Sequence, residues 1–221
     1  MKALDSLWLW LDPVERPGPE AMAVDEWLLE TATLPVLRVY HWRGDWGSVG
    51  YFGCLADAAA SFPGVEWVRR WTGGGTVDHR ADWTYSVIVP AGSELAKARG
   101  TESYRRIHGA LAEALRQESK EVILSGGGES TGAASCFENP VCHDLIDVDG
   151  RKLAGAGQRR TSSGLLHQGS VAGFCDSDLR AHRLASCLAD SSETKNMSPP
   201  PEIIAAKVAA RYGLDAWTKR R

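Results

Sequence analysis

The stretch Arg69-Arg70-Trp71-Thr72-Gly73-Gly74-Gly75-Thr76-Val77-Asp78-His79 constrains the fold of this chain more than any other. Consecutive glycines have no Cβ and tolerate positive φ, so their backbones can approach a ligand or another strand closely. A linker would be flanked by polar, structureless sequence. Here Val65–Val68 precedes the run as a short apolar strand, and Thr84-Tyr85-Ser86-Val87-Ile88-Val89 follows it as a β-branched, roughly alternating one. Glycines held between two strands are expected to line a wall rather than to form a hinge.

The remaining sequence reads as mixed α and β. Leu7–Leu11 is a strand candidate, and Pro19–Thr31 carries Met22, Val24, Trp27, Leu28 and Leu29 on one helical face. Strands are expected over Val36–Trp42 and Gly47–Phe52, joined as a hairpin through Arg43-Gly44-Asp45. Ser103–Gln117 places Ile107, Leu111 and Leu115 at four-residue spacing, which predicts an amphipathic helix before Val122-Ile123-Leu124. Asp144–Val148, the corner Asp149-Gly150 and Lys152–Ala156 predict a second hairpin, and Gln158–Thr161 and Leu165–Val171 continue the meander. Asp176–Ala189 and Glu202–Tyr212 read as helices, separated by a linker over Asp190–Pro201. The domain reading is therefore one catalytic unit over residues 1–189, followed by a proline-containing linker and C-terminal helix over 190–221.

With 221 residues, one substantial core is expected, and a net charge of -3 argues against a general nucleic-acid-coating surface. No apolar run approaches the ~20 residues of a membrane helix, and Leu7–Leu11 is too short for a signal peptide, so the reading is cytoplasmic, without membrane or nucleic acid. The five cysteines, at 54, 136, 142, 175 and 187, have no CxxC spacing and are expected to be reduced. Only Cys136, Cys142 and His143 cluster, without the short-spaced pair of structural zinc sites, so no metal is expected. The glycine-rich stretch Ser125–Gly132 lacks the order of a nucleotide-phosphate loop and reads as a surface loop that could serve as a lid.

A second constellation runs through Cys136-Phe137, Asp144-Leu145, Gly150-Arg151-Lys152-Leu153-Ala154-Gly155-Ala156-Gly157-Gln158-Arg159 and His167-Gln168-Gly169-Ser170. Together with Arg-Arg, the glycine run, His79 and the Tyr85-Ser86 strand, this order resembles the lipoate-protein ligase and octanoyltransferase branch of the biotin/lipoate protein ligase superfamily. Met22-Ala23-Val24-Asp25-Glu26 looks like that family's first helix, and the resemblance spans about Met22 to Val171. It implies an α/β fold with a mixed β-sheet and flanking helices, a class II synthetase-like catalytic core with a tunnel for a medium-length acyl chain. Arg70, Gly73, Gly74, Gly75, His79, Tyr85, Gly155, Ala156, Gly157, Gln158 and Gly169 are the substrate-binding candidates it implies, with His167 a further one. Physical reading agrees in part: glycines and small residues let an acyl chain lie against backbone. Alone, Lys152 would be a solvated hairpin lysine; in this context its ammonium is aimed at the acyl carbonyl, where a fixed charge stabilises a developing oxyanion.

Two chemistries stay open. Cysteine-type octanoyltransferases place a cysteine followed by an aromatic where Cys136-Phe137 stands; they take an acyl group from acyl carrier protein as a thioester and pass it to a lysine of a lipoyl domain or of glycine cleavage H protein. No cofactor is needed, because the acyl group arrives activated. ATP-dependent lipoate ligases adenylate free lipoate with ATP and Mg. They usually lack this cysteine and carry Asn before the aspartate matching Asp144, where this chain has His143. Many also carry a C-terminal accessory domain, and only about ten residues follow Tyr212 here, which counts against the ligase without excluding it, because that domain can be a separate chain. Against the transferase stands Gly75, where transferases commonly have Arg. The transferase, with Cys136 and Lys152 catalytic, is the leading expectation. The ligase is the alternative, and a non-catalytic acyl- or lipoyl-domain-binding protein the third. The pairs Arg69-Arg70, Arg105-Arg106 and Arg159-Arg160 are expected at the surface, steering acidic partners.

Overall fold

A computed structural model of the chain describes residues 2–127, 141–173 and 177–220. Its frame is an eight-stranded mixed sheet built from β1 (Leu4–Leu11), β2 (Val36–Tyr40), β6 (Asp82–Pro90), β7 (Ile123–Leu124), β8 (Leu145–Ile146), β9 (Lys152–Thr161), β10 (Gly164–Ala172) and β11 (Ala189–Thr194). The spatial order is β11-β1-β2-β6-β10-β9-β8-β7. A three-stranded sheet, β4-β3-β5, uses β3 (Trp46–Val49), β4 (Glu66–Arg69) and β5 (Thr76–Asp78). The helices are α1 (Gly18–Thr31), α2 (Leu55–Ser61), α3 (Glu94–Lys97), α4 (Gly100–Arg116), α5 (Ser177–Leu188), α6 (Pro201–Lys207) and α7 (Asp215–Thr218), with a π-helical turn, Val208–Tyr212, between the last two.

Strand alternation sorts the core. In β6, Trp83, Tyr85, Val87 and Val89 point to the face covered by α4 and α5, where they meet Ile107, Leu111, Leu115 and Leu184. Ile88 points the other way, to Trp10, Tyr40, Leu166 and the α1 residues Met22, Val24 and Leu28. On that second face the polar Ser86 is fully buried in mid-sheet and needs a partner. Asp25 of α1 supplies it: one carboxylate oxygen accepts from Ser86 Oγ at 2.6 Å and from Gln168 Nε2 at 2.7 Å. The other accepts from Arg38 Nη1 at 2.7 Å, and Arg38 also binds Asp12 at 2.8 Å. Burial alone would depress the Arg38 guanidinium, but Asp25 and Asp12 outweigh it and raise its pKa. The pairing fixes α1 on the sheet at one register.

Two stretches differ from the sequence reading. The stretch read as one hairpin over Val36–Phe52 divides between sheets: β2 pairs with β1 and β6, while β3 pairs with β4 and β5. The turn at Gly44, with φ +96°, hands the chain from one sheet to the other. Residues 190–194, read as linker, belong to β11, parallel to β1. Their polar side chains are exposed, so no apolar signal announced an edge strand held by its backbone ladder. The C-terminal helices lie on α1, where Glu26 accepts from Lys207, Arg211 and Tyr212. The predicted Asp-Gly corner is present: Gly150 has φ +80° and Leu145 pairs with Ala154. Among the described residues, no helix is long and apolar enough to cross a membrane.

The small sheet meets the large one through glycine backbones. A Cβ on Gly50 would lie 1.9 Å from the Gly74 carbonyl oxygen, and one on Gly157 would lie 2.2 Å from that of Gly73. Both obstacles are backbone and cannot rotate away. Gly50→Ala is therefore expected to cost about 3 kcal/mol in chemical denaturation. Gly73→Ala, whose Cβ would meet nothing within 4 Å, is expected to change stability by less than about 0.5 kcal/mol.

Candidate active site

A cavity lies between the second face of the large sheet, α1 and the small sheet. Its floor is β9 and β10, through Gly155, Ala156, Gly157, Gln168, Gly169 and Ser170; Met22 and Val77 supply apolar walls. Tyr40, Trp42, His79 and Thr84 line it further along, and Lys152 and Arg70 bring charge to it. The arrangement is a mostly apolar slot with a few fixed polar groups, the usual character of a small-molecule site.

Lys152 is the first residue of β9, directly after the Asp-Gly corner, and its side chain is 2% exposed. Its Nζ lies 2.7 Å from Asp144 Oδ2, on a carboxylate that is fully buried. Asp144 is itself held by the Val141 N–H at 2.8 Å and by the Tyr104 hydroxyl, which donates to Oδ1. A Cβ on Gly155 would lie 2.6 Å from Lys152 Nζ, so glycine leaves the space the ammonium occupies. The site thus places a rigid, carboxylate-paired cation at the edge of an apolar slot.

Arg70 and His79 are joined by Ser48. Arg70 Nη1 donates to Ser48 Oγ at 2.5 Å, and Nη2 donates to the carbonyls of Gly73 and Gly75 at 3.2 and 2.9 Å. His79 Nε2 is 2.6 Å from Ser48 Oγ and its Nδ1 is 2.7 Å from Asp82 Oδ2, while its ring stacks on Trp42 with centroids 4.2 Å apart. The glycine run is consequently clamped by a guanidinium whose own orientation is fixed by a Ser–His–Asp chain. Gly73, Gly74 and Gly75 are not among the residues that line the cavity; they pack beside it, Gly73 against Gly157 of β9, with Gly74 at φ +94°.

Several expectations are corrected. Tyr85 and Gln158 lie on the opposite sheet face from the cavity. The Tyr85 ring sits behind Gly169, whose Cβ would fall 2.3 Å from it, and Gln158 is bonded to His167 and Ser103. Both follow from strand parity: Thr84 and Ser86, not Tyr85, face α1. His167, fully buried, belongs to that rear cluster as well. Arg69 and Arg70 are buried rather than displayed; Arg69 donates to the carbonyls of Gly50, Gly53, Thr218 and Arg220 and so ties the C-terminus to the glycine segment. Arg105 and Arg106 are at the surface, paired with Glu102, and Arg159 lies over the rings of Trp71 and Tyr51. Cys136, and most of the proposed lid, lie outside the described residues. Sequence reasoning did not single out Tyr104, Ser48, Asp82 or Trp42; each is a common residue type that only the fold brings to the site.

This mixed sheet with its flanking helices is the class II synthetase-like catalytic core. The model of the lipoyl protein ligase A/B catalytic domain matches residues 17–210, and the chain belongs to that family. It is similar to the octanoyltransferase LipM of Symbiobacterium thermophilum, 33% identical over 183 residues, which are 76% of this chain and 66% of that protein. With LipM of Carboxydothermus hydrogenoformans it shares 36% over 176 residues, 74% of this chain and 64% of that one. The chain thus spans just under two thirds of these relatives. Among solved structures, the bi-partite lipoate protein ligase of Thermoplasma acidophilum superposes with a TM-score of 0.73 at 17% identity, covering 98% of this chain and 96% of that one. Lipoate-protein ligase A bound with ATP gives 0.71 at 18%, covering 98% of both chains. These likenesses share the fold.

Behind Lys152, on the rear face, Tyr104, His108, His167 and Tyr85 form a buried cluster. His108 Nδ1 must donate to the His143 carbonyl, 2.7 Å away, which leaves Nε2 without a proton or a partner among the described residues. Burial, opposed by Asp144, holds the His108 pKa down to about 4, below the unfolded value of about 6.5. The native state therefore refuses a proton that the unfolded chain accepts, and the stability His108 confers is lost as pH falls from about 6.5 to about 4. In His108→Asn, whose amide nitrogen can replace Nδ1, denaturation free energy measured across that window is expected to fall less steeply, by up to about 1.4 kcal/mol per pH unit.

Proposed function

We propose that this protein transfers an octanoyl group to the acceptor lysine of lipoyl-dependent proteins, lipoyl domains or glycine cleavage H protein, through a thioester on Cys136 and without ATP. The observation that carries the proposal is Lys152: a buried, Asp144-paired ammonium at an apolar slot, in a chain similar over three quarters of its length to octanoyltransferases. The Cys136-Phe137 pair supplies the nucleophile that the slot and the cation require.

The Cys136 thiolate attacks the carbonyl of octanoyl acyl carrier protein. A carbon–sulfur bond forms, negative charge moves onto the carbonyl oxygen, and the carrier thiolate leaves with the proton that Cys136 gave up. Lys152 stabilises that oxyanion while glycines along the floor admit the chain. The acceptor amine then attacks the new thioester, the carbon–sulfur bond to Cys136 breaks as the amide forms, and the proton lost from the amine nitrogen goes to the departing sulfur, which restores the Cys136 thiol. One thioester replaces another in the first step, so no nucleotide is consumed. Arg70, His79, Gly155, Ala156, Gly157 and Gly169 bound the slot in this reading, and Gly73 to Gly75 pack beside it.

Gly75 favours a second reading, an ATP-dependent lipoate-protein ligase that uses the same Lys152 and glycine wall with ATP and Mg. Intact-mass measurement separates the two. Incubation with octanoyl acyl carrier protein, without ATP, is expected to add one octanoyl group to the wild type and none to Cys136→Ser. Modification of an acceptor by lipoate and ATP-Mg with active Cys136→Ser would establish the ligase. Acceptor binding with neither chemistry would leave a binding protein. Lys152→Met is expected to lower octanoyl transfer by about 10²–10³-fold.

A further inference from the structure

The outer edge of β9 has three different partners in succession. Ala154 pairs with Leu145 of β8, where the register shifts and β8 ends at Ile146. The Gln158 carbonyl meets the Gly73 N–H at 3.5 Å, at the start of the glycine wall. Between them, at Ala156, no strand is present among the described residues. The Ala156 N–H instead donates at 2.9 Å to the hydroxyl of Tyr104, which reaches the strand from α4. That same hydroxyl donates its proton to Asp144 Oδ1, and Asp144 Oδ2 holds Lys152.

A phenol has one proton to give and a lone pair to receive with, so this one joins the cavity floor at Ala156 to the carboxylate partner of the cation. Its orientation is fixed on α4, because the residue one turn later, His108, packs against it with ring centroids 4.2 Å apart and planes tilted by 46°, and is anchored to the His143 carbonyl. Tyr104 is half-buried, and burial first, then the Asp144 charge, raises its pKa, which favours the neutral, proton-donating phenol.

We propose that Tyr104 is a positioning residue for the reaction, fixing the Lys152 ammonium against the Gly155–Gly157 floor by holding Asp144 and the free edge of β9 at a set distance. Tyr104 does not touch substrate in this assignment. It acts through Asp144, and it makes the geometry of cation and floor a single unit. The assignment rests on the octanoyl-transfer reading for its effect on rate but not for its effect on Lys152.

Two measurements on the full chain keep those apart. In the wild type, 15N-detected NMR of the lysine ammonium groups is expected to show Lys152, identified by its loss in Lys152→Met, with slow proton exchange. Tyr104→Phe is expected to speed that exchange at least tenfold. In octanoyl transfer, Tyr104→Phe is expected to lower kcat about 20-fold with KM for the octanoyl carrier within twofold. In an Asp144→Asn background the same substitution is expected to lower kcat by less than twofold. Unchanged exchange, unchanged kcat, or full additivity with Asp144→Asn would overturn the assignment. Faster exchange in a protein whose wild type transfers no octanoyl group would sustain the Tyr104–Asp144–Lys152 coupling and overturn the reaction. If Tyr104→Phe does not fold, 3-fluorotyrosine at 104 keeps the size and strengthens the donor; at least twofold slower Lys152 exchange supports the assignment and no change overturns it.

Discussion

The contact on which the rest depends is backbone against backbone, where the glycine run of the small sheet lies on β9 of the large one. A side chain at Gly157 of β9 would collide with the Gly73 carbonyl oxygen, which has nowhere to go. Without that closeness the two sheets would stand farther apart, and the slot between them would open to water. Closing it costs backbone polar groups their solvent, which is why Arg70 reaches back to the Gly73 and Gly75 carbonyls and Arg69 to those of Gly50 and Gly53. A guanidinium with several donors in a fixed fork suits a cluster of carbonyls better than an ammonium would. The two adjacent arginines are thus internal hydrogen-bond hubs, not charge on display.

The same logic runs through the opposite wall. Ser86 and Gln168 on the sheet would be orphaned polar groups beneath α1 were Asp25 not directed at both. Asp25 in turn would be an unpaired buried charge without Arg38, and Arg38 needs Asp12 as a second counter-charge. Such a chain tolerates no partial removal: losing one member of a buried pair costs about 3–5 kcal/mol because the other stays behind uncompensated. Its net effect is positional, since hydrophobic packing alone would let α1 slide along the sheet, whereas directed hydrogen bonds allow one register. Gln168 extends the chain across the slot, accepting from Thr72 Oγ1 at 2.8 Å, so both walls are referenced to one carboxylate.

Much of this was legible in the sequence where local chemistry decides the outcome. The close backbone packing of the glycine run, the Asp-Gly corner and the helix carrying Ile107, Leu111 and Leu115 each follow from backbone tolerance or periodicity, and the order of motifs indicated the fold. What was not legible depends on partners distant in sequence. Alternation in Thr84–Val89 says that two sets of side chains face opposite ways, but not which set α1 covers, so it could not show that Tyr85, a candidate implied by the resemblance, faces away from the slot. The sequence of β11 is polar because its side chains are exposed on an edge strand, and an edge held only by its ladder leaves no hydrophobic imprint. Val36–Phe52 has the composition of a hairpin, yet the closeness required of Gly50 and Gly74 draws β3 into another sheet.

Lys152 shows how these levels meet. Its place at the head of β9 is set by a turn that two residues specify, and its burial by the absence of a side chain at Gly155. Its charge is tolerable only because Asp144 is buried beside it, and Asp144 is itself held by a backbone N–H and a phenol from the far face of the sheet. A cation so enclosed has exchanged mobile water for fixed groups, so in the proposed transfer little reorganisation would remain to be done when negative charge develops next to it. Rigidity here is a property of both faces of the sheet: the cluster on the far side from the slot determines where the Lys152 ammonium can be.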